Sequence, residues 1–138
     1  MSSIVPVDEE YIFEGRAIIS QTDLEGVIIF ANRQFCRVSG YKAEELVGKP
    51  HNIIRHPDMP REIFEQMWKT IKSGQAWNGL IKNLRKDGLY YWVETEILPI
   101  KDETEKITGY VTAGRSASRT NIQENAELYK KMIETEER

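Results

Sequence analysis

At 138 residues the chain is long enough for one domain whose core needs neither disulfides nor a structural metal. Apolar residues make up 40% and charged residues 30%, which excludes a disordered chain, and a net charge of −3 gives no electrostatic reason to expect nucleic acid or an anionic membrane as partner. A single cysteine, Cys36, excludes an internal disulfide and fits a reducing, cytoplasmic compartment, and no apolar run approaches the ~20 residues that span a bilayer.

Residues 1–14 form a mixed polar arm without the basic and apolar regions of a signal peptide. Ala17-Ile18-Ile19-Ser20 predicts a short strand, Asp23-Leu24-Glu25-Gly26 a tight turn, and Val27-Ile28-Ile29-Phe30 a second strand that completes a hairpin. Asn32 is the N-cap of a helix that Gly40 stops. Residues 43–47 add a further helical turn. Residues 49–59 contain Pro50, Pro57 and both histidines, and are irregular. The clearest helix runs over 60–73, where Ile63, Phe64, Met67, Trp68 and Ile71 share one face. Asp58 is expected to cap it, with Arg55 as the partner of Asp58.

Strands over 76–85, 89–100 and 107–117 follow, joined by turns at Lys86-Asp87-Gly88 and 102–106. Residues 119–138 form a separate helix in which Ile122, Ala126, Tyr129 and Ile133 make a heptad-like stripe, too short for a sustained coiled coil. The pattern predicts an α+β fold with an arm at 1–14, a sensor domain at 15–118 and a signalling or linker helix at 119–138. The charged run at 134–138 reads as part of a longer receptor.

Several phrases resemble a known family. Asn32 with Phe35, the run Val38-Ser39-Gly40-Tyr41, and Lys86-Asp87-Gly88 before an aromatic strand ending Pro99-Ile100 resemble the PAS domain over residues 15–118. The stretch Gly48-Lys49-Pro50-His51-Asn52-Ile53-Ile54-Arg55-His56-Pro57-Asp58-Met59-Pro60 is similar to the PAS domain of bacterial aerotaxis and energy-taxis transducers. Trp68, Trp77 and Lys82-Asn83-Leu84-Arg85-Lys86-Asp87-Gly88 extend that likeness. The best-studied members hold FAD non-covalently and report its redox state to the chemotaxis machinery; related domains carry haem or no known cofactor.

The resemblance therefore implies the PAS fold, a five-stranded antiparallel sheet with short helices between strands 2 and 3. It implies FAD, with haem or no cofactor as alternatives. It also implies a signalling partner, such as a chemotaxis receptor or a HAMP-like domain, and a homodimer.

The expected cofactor contacts are Asn32, His51, Asn52, Arg55, His56, Trp68, Trp77, Asn83 and Tyr91. The Asn83 carboxamide offers one donor and one acceptor direction, which matches the alternating edge of a flavin ring. Trp77, at a strand entry, can wall off an aromatic ring; Trp68 can do the same or belong to the core. The Arg55 guanidinium suits phosphate oxygens, with His56 beside it. Tyr91 and Val93 are expected to share the pocket side with Asn83, leaving Trp92 to face outward, toward a partner or the arm.

His51 stands near the position of the photoactive cysteine of LOV domains, so a cysteinyl–flavin adduct is not expected. Either histidine keeps haem as an alternative. The sequence has no Gly-rich phosphate loop, nucleophile elbow or His/Glu metal spacing, so neither an enzyme nor a metal site is expected.

Overall fold

The computed structural model describes residues 4–137; residues 1–3 of the expected arm and Arg138 of the expected last helix lie outside the described residues. Strands β1 (Ile18–Thr22) and β2 (Ile28–Ala31) form the first hairpin. Its turn closes because Asp23 Oδ1 accepts from the backbone N–H groups of Glu25 and Val27, both at 2.9 Å, while Gly26 takes φ 85°.

Helix α1 (Arg33–Ser39) starts at Asn32, whose Oδ1 accepts from Phe35 N–H at 2.9 Å, and stops at Gly40 with φ 81°. Helix α2 (Ala43–Leu46), a 3₁₀ turn at His51–Ile54 and helix α3 (Arg61–Lys72) lead to β3 (Trp77–Leu84), β4 (Tyr90–Lys101) and β5 (Ile107–Ser116). Helix α4 (Arg119–Glu136) follows β5. The five strands form one antiparallel sheet in the order β2-β1-β5-β4-β3, which is the expected α+β architecture.

Alternation along β4 sorts the two faces of the sheet. Tyr91, Val93, Thr95 and Ile97 point inward and are buried. Phe13, Ile28, Phe35, Val38 and Leu46 pack with Tyr91 and Val93 in the same core. Arg85 braces the β3–β4 turn against α1: its guanidinium donates to Val38 O at 2.5 Å, pairs with Asp87 at 3.1 Å and lies 4.0 Å above the Tyr11 ring. The arm is tied down by Val7 N–H on Gly88 O at 2.8 Å and Tyr11 N–H on Tyr90 O at 2.7 Å.

The outer face of β3 and β4 is covered by α4. Ile122 and Tyr129 are buried there against Leu80, Met59 and Trp92, and Tyr129 Oη donates to Leu80 O at 2.6 Å. Trp92 faces outward as expected, but its cover is α4 rather than a partner or the arm. The heptad-like stripe is thus spent on the chain's own sheet. A short connection through Ala117 and Ser118 holds the helix at a high local concentration over that apolar face.

The cap expected from Asp58 is absent. Pro60 occupies the N-cap position of α3 without a side-chain bond. Glu136 of α4 supplies the acceptor instead, taking the N–H groups of Arg61 at 3.0 Å and Glu62 at 3.1 Å. Asp58 pairs with Lys82 at 3.3 Å, and Arg55 is not its partner. The extended backbone after the 3₁₀ turn carries Asp58 toward β3 and away from the first amides of α3.

The connection from Gly48 to Met59 also lines both borders of the sheet. On the β2 side, Ile28 N–H donates to Lys49 O at 2.9 Å and Gly48 N–H to Ile28 O at 2.8 Å. On the β3 side, Arg55 bridges Asn83, and Lys82 N–H donates to Met59 Sδ at 3.3 Å.

Candidate functional site

Between the inner sheet face and the segment running from the 3₁₀ turn through α3 lies a cavity of about 540 Å³. That is well inside the ~300–1,000 Å³ range of cofactor and ligand sites. Its floor is built from alternate residues of four strands, among them Ile18, Thr22, Ile81, Asn83, Tyr91, Val93, Thr95, Tyr110, Thr112 and Gly114. Its roof is His51, Asn52, Ile54 and Arg55, then Phe64, Met67, Trp68, Ile71 and Lys72 from one face of α3. Leu24, Glu25 and Gly26 of the first turn complete the rim.

Six of the nine expected residues come together here: His51, Asn52, Arg55, Trp68, Asn83 and Tyr91. The other three stand outside the cavity lining. Asn32 caps α1, and it also clips β1 by accepting from Ile19 N–H and donating to Ala17 O, both at 3.0 Å. His56 is buried on the other side of the connection, edge-on to Tyr90, with Nδ1 accepting from Asp58 N–H at 3.0 Å. Consecutive residues of an extended chain point to opposite sides, so Arg55 takes the cavity and His56 the outer layer. Trp77 lies over Gly79, where any side chain would collide with its ring, and packs beside Phe64.

Asn83 is a buried polar group of the cavity wall that stands unpaired among the described residues. It is 9% exposed, and its carboxamide makes no hydrogen bond to any described residue. Its backbone is pinned by the Arg55 bridge and by pairing with Tyr91 across β4. Tyr91 presents its ring to the cavity, whereas its hydroxyl is sealed from solvent without a hydrogen-bond partner. Burial pushes that phenol far above its ordinary range. Arg85 and Asn83 pull the other way, Asn83 being near without closing a hydrogen bond.

His51 stacks on Phe35 at 5.7 Å, and its Nε2 meets Ser20 Oγ at 3.1 Å. Burial lowers its pKa to about 4, so the ring is neutral at pH 7. An axial bond to iron through that nitrogen would require breaking the Ser20 contact. Cys36, whose thiol burial pushes up, is not a wall of the cavity. Among the described residues no cluster of His, Cys, Asp and Glu could hold a metal ion, and no helix is long and apolar enough to cross a membrane.

Trp68 closes the side of the cavity between α3 and the first turn. Its ring edge lies 3.2 Å from where a Cβ on Gly26 would stand, and it packs edge-on to Tyr110 at 5.8 Å.

The family model described as "PAS fold" matches residues 28–113. The chain belongs to the PAS family. PAS relatives extend the match: the aerotaxis receptor of Escherichia coli (strain K12) is 45% identical over 113 residues, which are 82% of this chain and 22% of that protein. The nitrogen fixation regulatory protein of Klebsiella oxytoca is 35% identical over 100 residues, 72% of this chain and 20% of its own length. The chain therefore spans about a fifth of these curated relatives.

Among solved structures, the PAS domain of a Colwellia psychrerythraea protein is 29% identical, with TM-score 0.68 over 75% of this chain and 87% of that one. The light-state blue-light photoreceptor Aureochrome1 LOV gives TM-score 0.70 at 18% identity over 88% of this chain and 91% of that one, a likeness of fold. This is a PAS sensory domain related to signal-transduction proteins.

The cavity residues that no motif pointed to follow from alternation. Once Asn83 and Tyr91 face inward, Ile81, Thr95 and Ile97 must do so too, and the same step of two on β5 gives Tyr110, Thr112 and Gly114. Lys72 carried a weaker signal, its spacing of four from Trp68 on the same helix face.

Proposed function

We propose that this PAS domain is a cytoplasmic redox or oxygen-linked sensor that holds FAD non-covalently and relays its state to a chemotaxis receptor, a HAMP-like domain or another signalling partner, as a homodimer and without catalysis of its own. The observation that carries the reading is Asn83, a buried carboxamide with both hydrogen-bonding directions unspent, set in a cavity walled by Trp68, Phe64 and Tyr91. A flavin ring has the flat apolar faces and the donor–acceptor edge that such a chamber complements. Arg55 at the rim suits phosphate. The 45% identity to an aerotaxis receptor supports the same assignment.

The flavin supplies reversible electron uptake; the chain's part is to hold the ring, exclude water and pass on a change in hydrogen bonding. Asn83 would follow the ring edge by turning its carboxamide. Asn83 pairs with Tyr91, and the adjacent pair is Lys82 with Trp92. Trp92 contacts Tyr129 of α4 at 6.3 Å between ring centroids. One strand thickness thus separates the cavity from α4, whose seating is the bistable element in this reading.

The test is the absorption spectrum of freshly purified protein before and after dithionite. Oxidised-flavin bands that bleach support the reading, and loss of bound flavin in Asn83→Ala assigns the contact. A Soret band would transfer the case to haem. A colourless protein that refuses added FAD would sink the flavin assignment and leave a cofactor-free interaction module.

A further inference from the structure

Helix α3 roofs the cavity, yet its own start is held by another helix. Pro60 stands at the N-cap position without a side-chain acceptor, so the first amides of α3 depend on Glu136 in the last turn of α4. The Glu136 carboxylate accepts from the N–H groups of Arg61 at 3.0 Å and Glu62 at 3.1 Å, and lies 3.6 Å from Arg61 Nε. The Glu62 and Arg61 amides keep its carboxyl below the usual carboxylate range. Seven positions earlier, on the same face of α4, Tyr129 donates to Leu80 O on β3. One helix is therefore pinned at two points, one on the sheet and one on the roof.

The first turn of α3 has a further attachment. Phe64 lines the cavity, with the Arg55 guanidinium 3.8 Å from its ring centroid. The same residue packs, with Ile63, into the outer cluster that holds Tyr129 and Met132 of α4. A shift of this turn is thus felt on both sides, in the chamber through Phe64 and at α4 through the Glu136 bonds.

Resting on the flavin reading above, we propose that Glu136 is a positioning residue for the cavity: it clasps the first turn of α3, so that a ligand against Phe64 and the seating of α4 strengthen each other. This joint runs through the roof and is separate from the strand route through Trp92. Binding that fixes Phe64 also fixes the amides of Arg61 and Glu62, which hold Glu136. In return, a seated α4 pre-orders the roof that the ligand meets. Such coupling is reciprocal, so one factor must appear in both directions.

The experiment measures amide exchange and FAD affinity in the parent and in Glu136→Ala. Glu134→Ala, an exposed neighbour on the same helix, is the charge control. A lost cap is worth about fivefold in an equilibrium constant. Glu136→Ala should therefore weaken FAD about fivefold, Glu136→Gln, which keeps one acceptor oxygen, should fall between, and Glu134→Ala should match the parent. FAD should slow exchange in the last two turns of α4 by about the same factor in the parent and not in Glu136→Ala. Tyr129→Phe, which loosens α4 from the sheet side, should speed exchange in the first turn of α3, and should lose that effect beside Glu136→Ala. A Glu136→Ala protein that melts earlier yet binds FAD as tightly as the parent overturns the joint and leaves a purely structural cap. Equal protection of α4 by FAD in both proteins does the same. If no flavin binds the parent, the flavin reading fails, and exchange in ligand-free Tyr129→Phe then decides the joint: a first turn of α3 that ignores the loosened α4 overturns it.

Discussion

Replacing Tyr91 by Phe removes one oxygen that the fold leaves stranded. Tyr91 is fully buried, and its hydroxyl is the side-chain polar atom in the described core that solvent cannot reach and no hydrogen bond satisfies. A buried polar group without a partner costs about 1–3 kcal/mol of desolvation. Deleting it recovers that cost, less the dispersion attraction forfeited around a void smaller than a methyl group, so the net gain is about 1 kcal/mol.

The aromatic ring stays, with its edge contact to Phe13 at 6.3 Å and its place in the cavity wall. For a domain of this size, a gain of that order raises Tm by roughly 3–5 °C. Thermal denaturation of flavin-free protein, with urea unfolding as a second measure, reads the effect. FAD affinity should not change, because the hydroxyl does not open to the cavity. A lower Tm would show that the phenol is bonded and that the stranded-oxygen account is wrong. A large loss of FAD affinity would show that the hydroxyl is a ligand contact.

Three further outcomes follow from the geometry. The unfolded chain protonates His51 near pH 6.5, whereas the folded chain resists until about pH 4, so stability falls as pH drops through that window by up to about 3 kcal/mol. Melting curves of His51→Gln between pH 4 and 7 should show a flatter slope than the parent, and equal slopes would refute the assignment. Tyr129→Phe strands the carbonyl of Leu80 and should destabilise the chain by about 1–2 kcal/mol, with faster amide exchange concentrated in α4; uniform exchange would contradict a separately seated helix. Gly114→Val drives a side chain into Val93 at the cavity floor and should abolish flavin uptake while costing about 1–3 kcal/mol, an effect absent if the ligand sits elsewhere.

Local rules reached much of this architecture. Asn32 and Gly40 bracket α1 because their capping chemistry acts within a few residues. Asn83, Tyr91 and Val93 share a face because a strand alternates by two. What stayed hidden depends on contacts between distant segments. The stripe Ile122–Ala126–Tyr129–Ile133 announces an apolar face without saying what covers it, and the cover is the chain's own Trp92 and Leu80. The acceptor for α3 comes from Glu136, 75 positions beyond Arg61, which no spacing rule reaches. His56 and Arg55 looked like one polar cluster, yet adjacency in an extended segment separates them across the layer. Arg55, Trp68 and Asn83 were legible as residue types; their placement around one chamber needed the fold.

The seam from Gly48 to Met59 sets the terms on which other molecules can engage this domain. A sheet with bare margins invites any extended peptide to join it as one more strand, which makes for promiscuous capture and for fibre growth. Here the same loop occupies backbone groups on both margins, through Ile28 on one side and Lys82 and Asn83 on the other. Strand donation at those positions is closed, so copies of the domain can be crowded together without zipping into a shared sheet there. Traffic with neighbours is left to side-chain surfaces, where residue identity, rather than the generic peptide backbone, selects the partner.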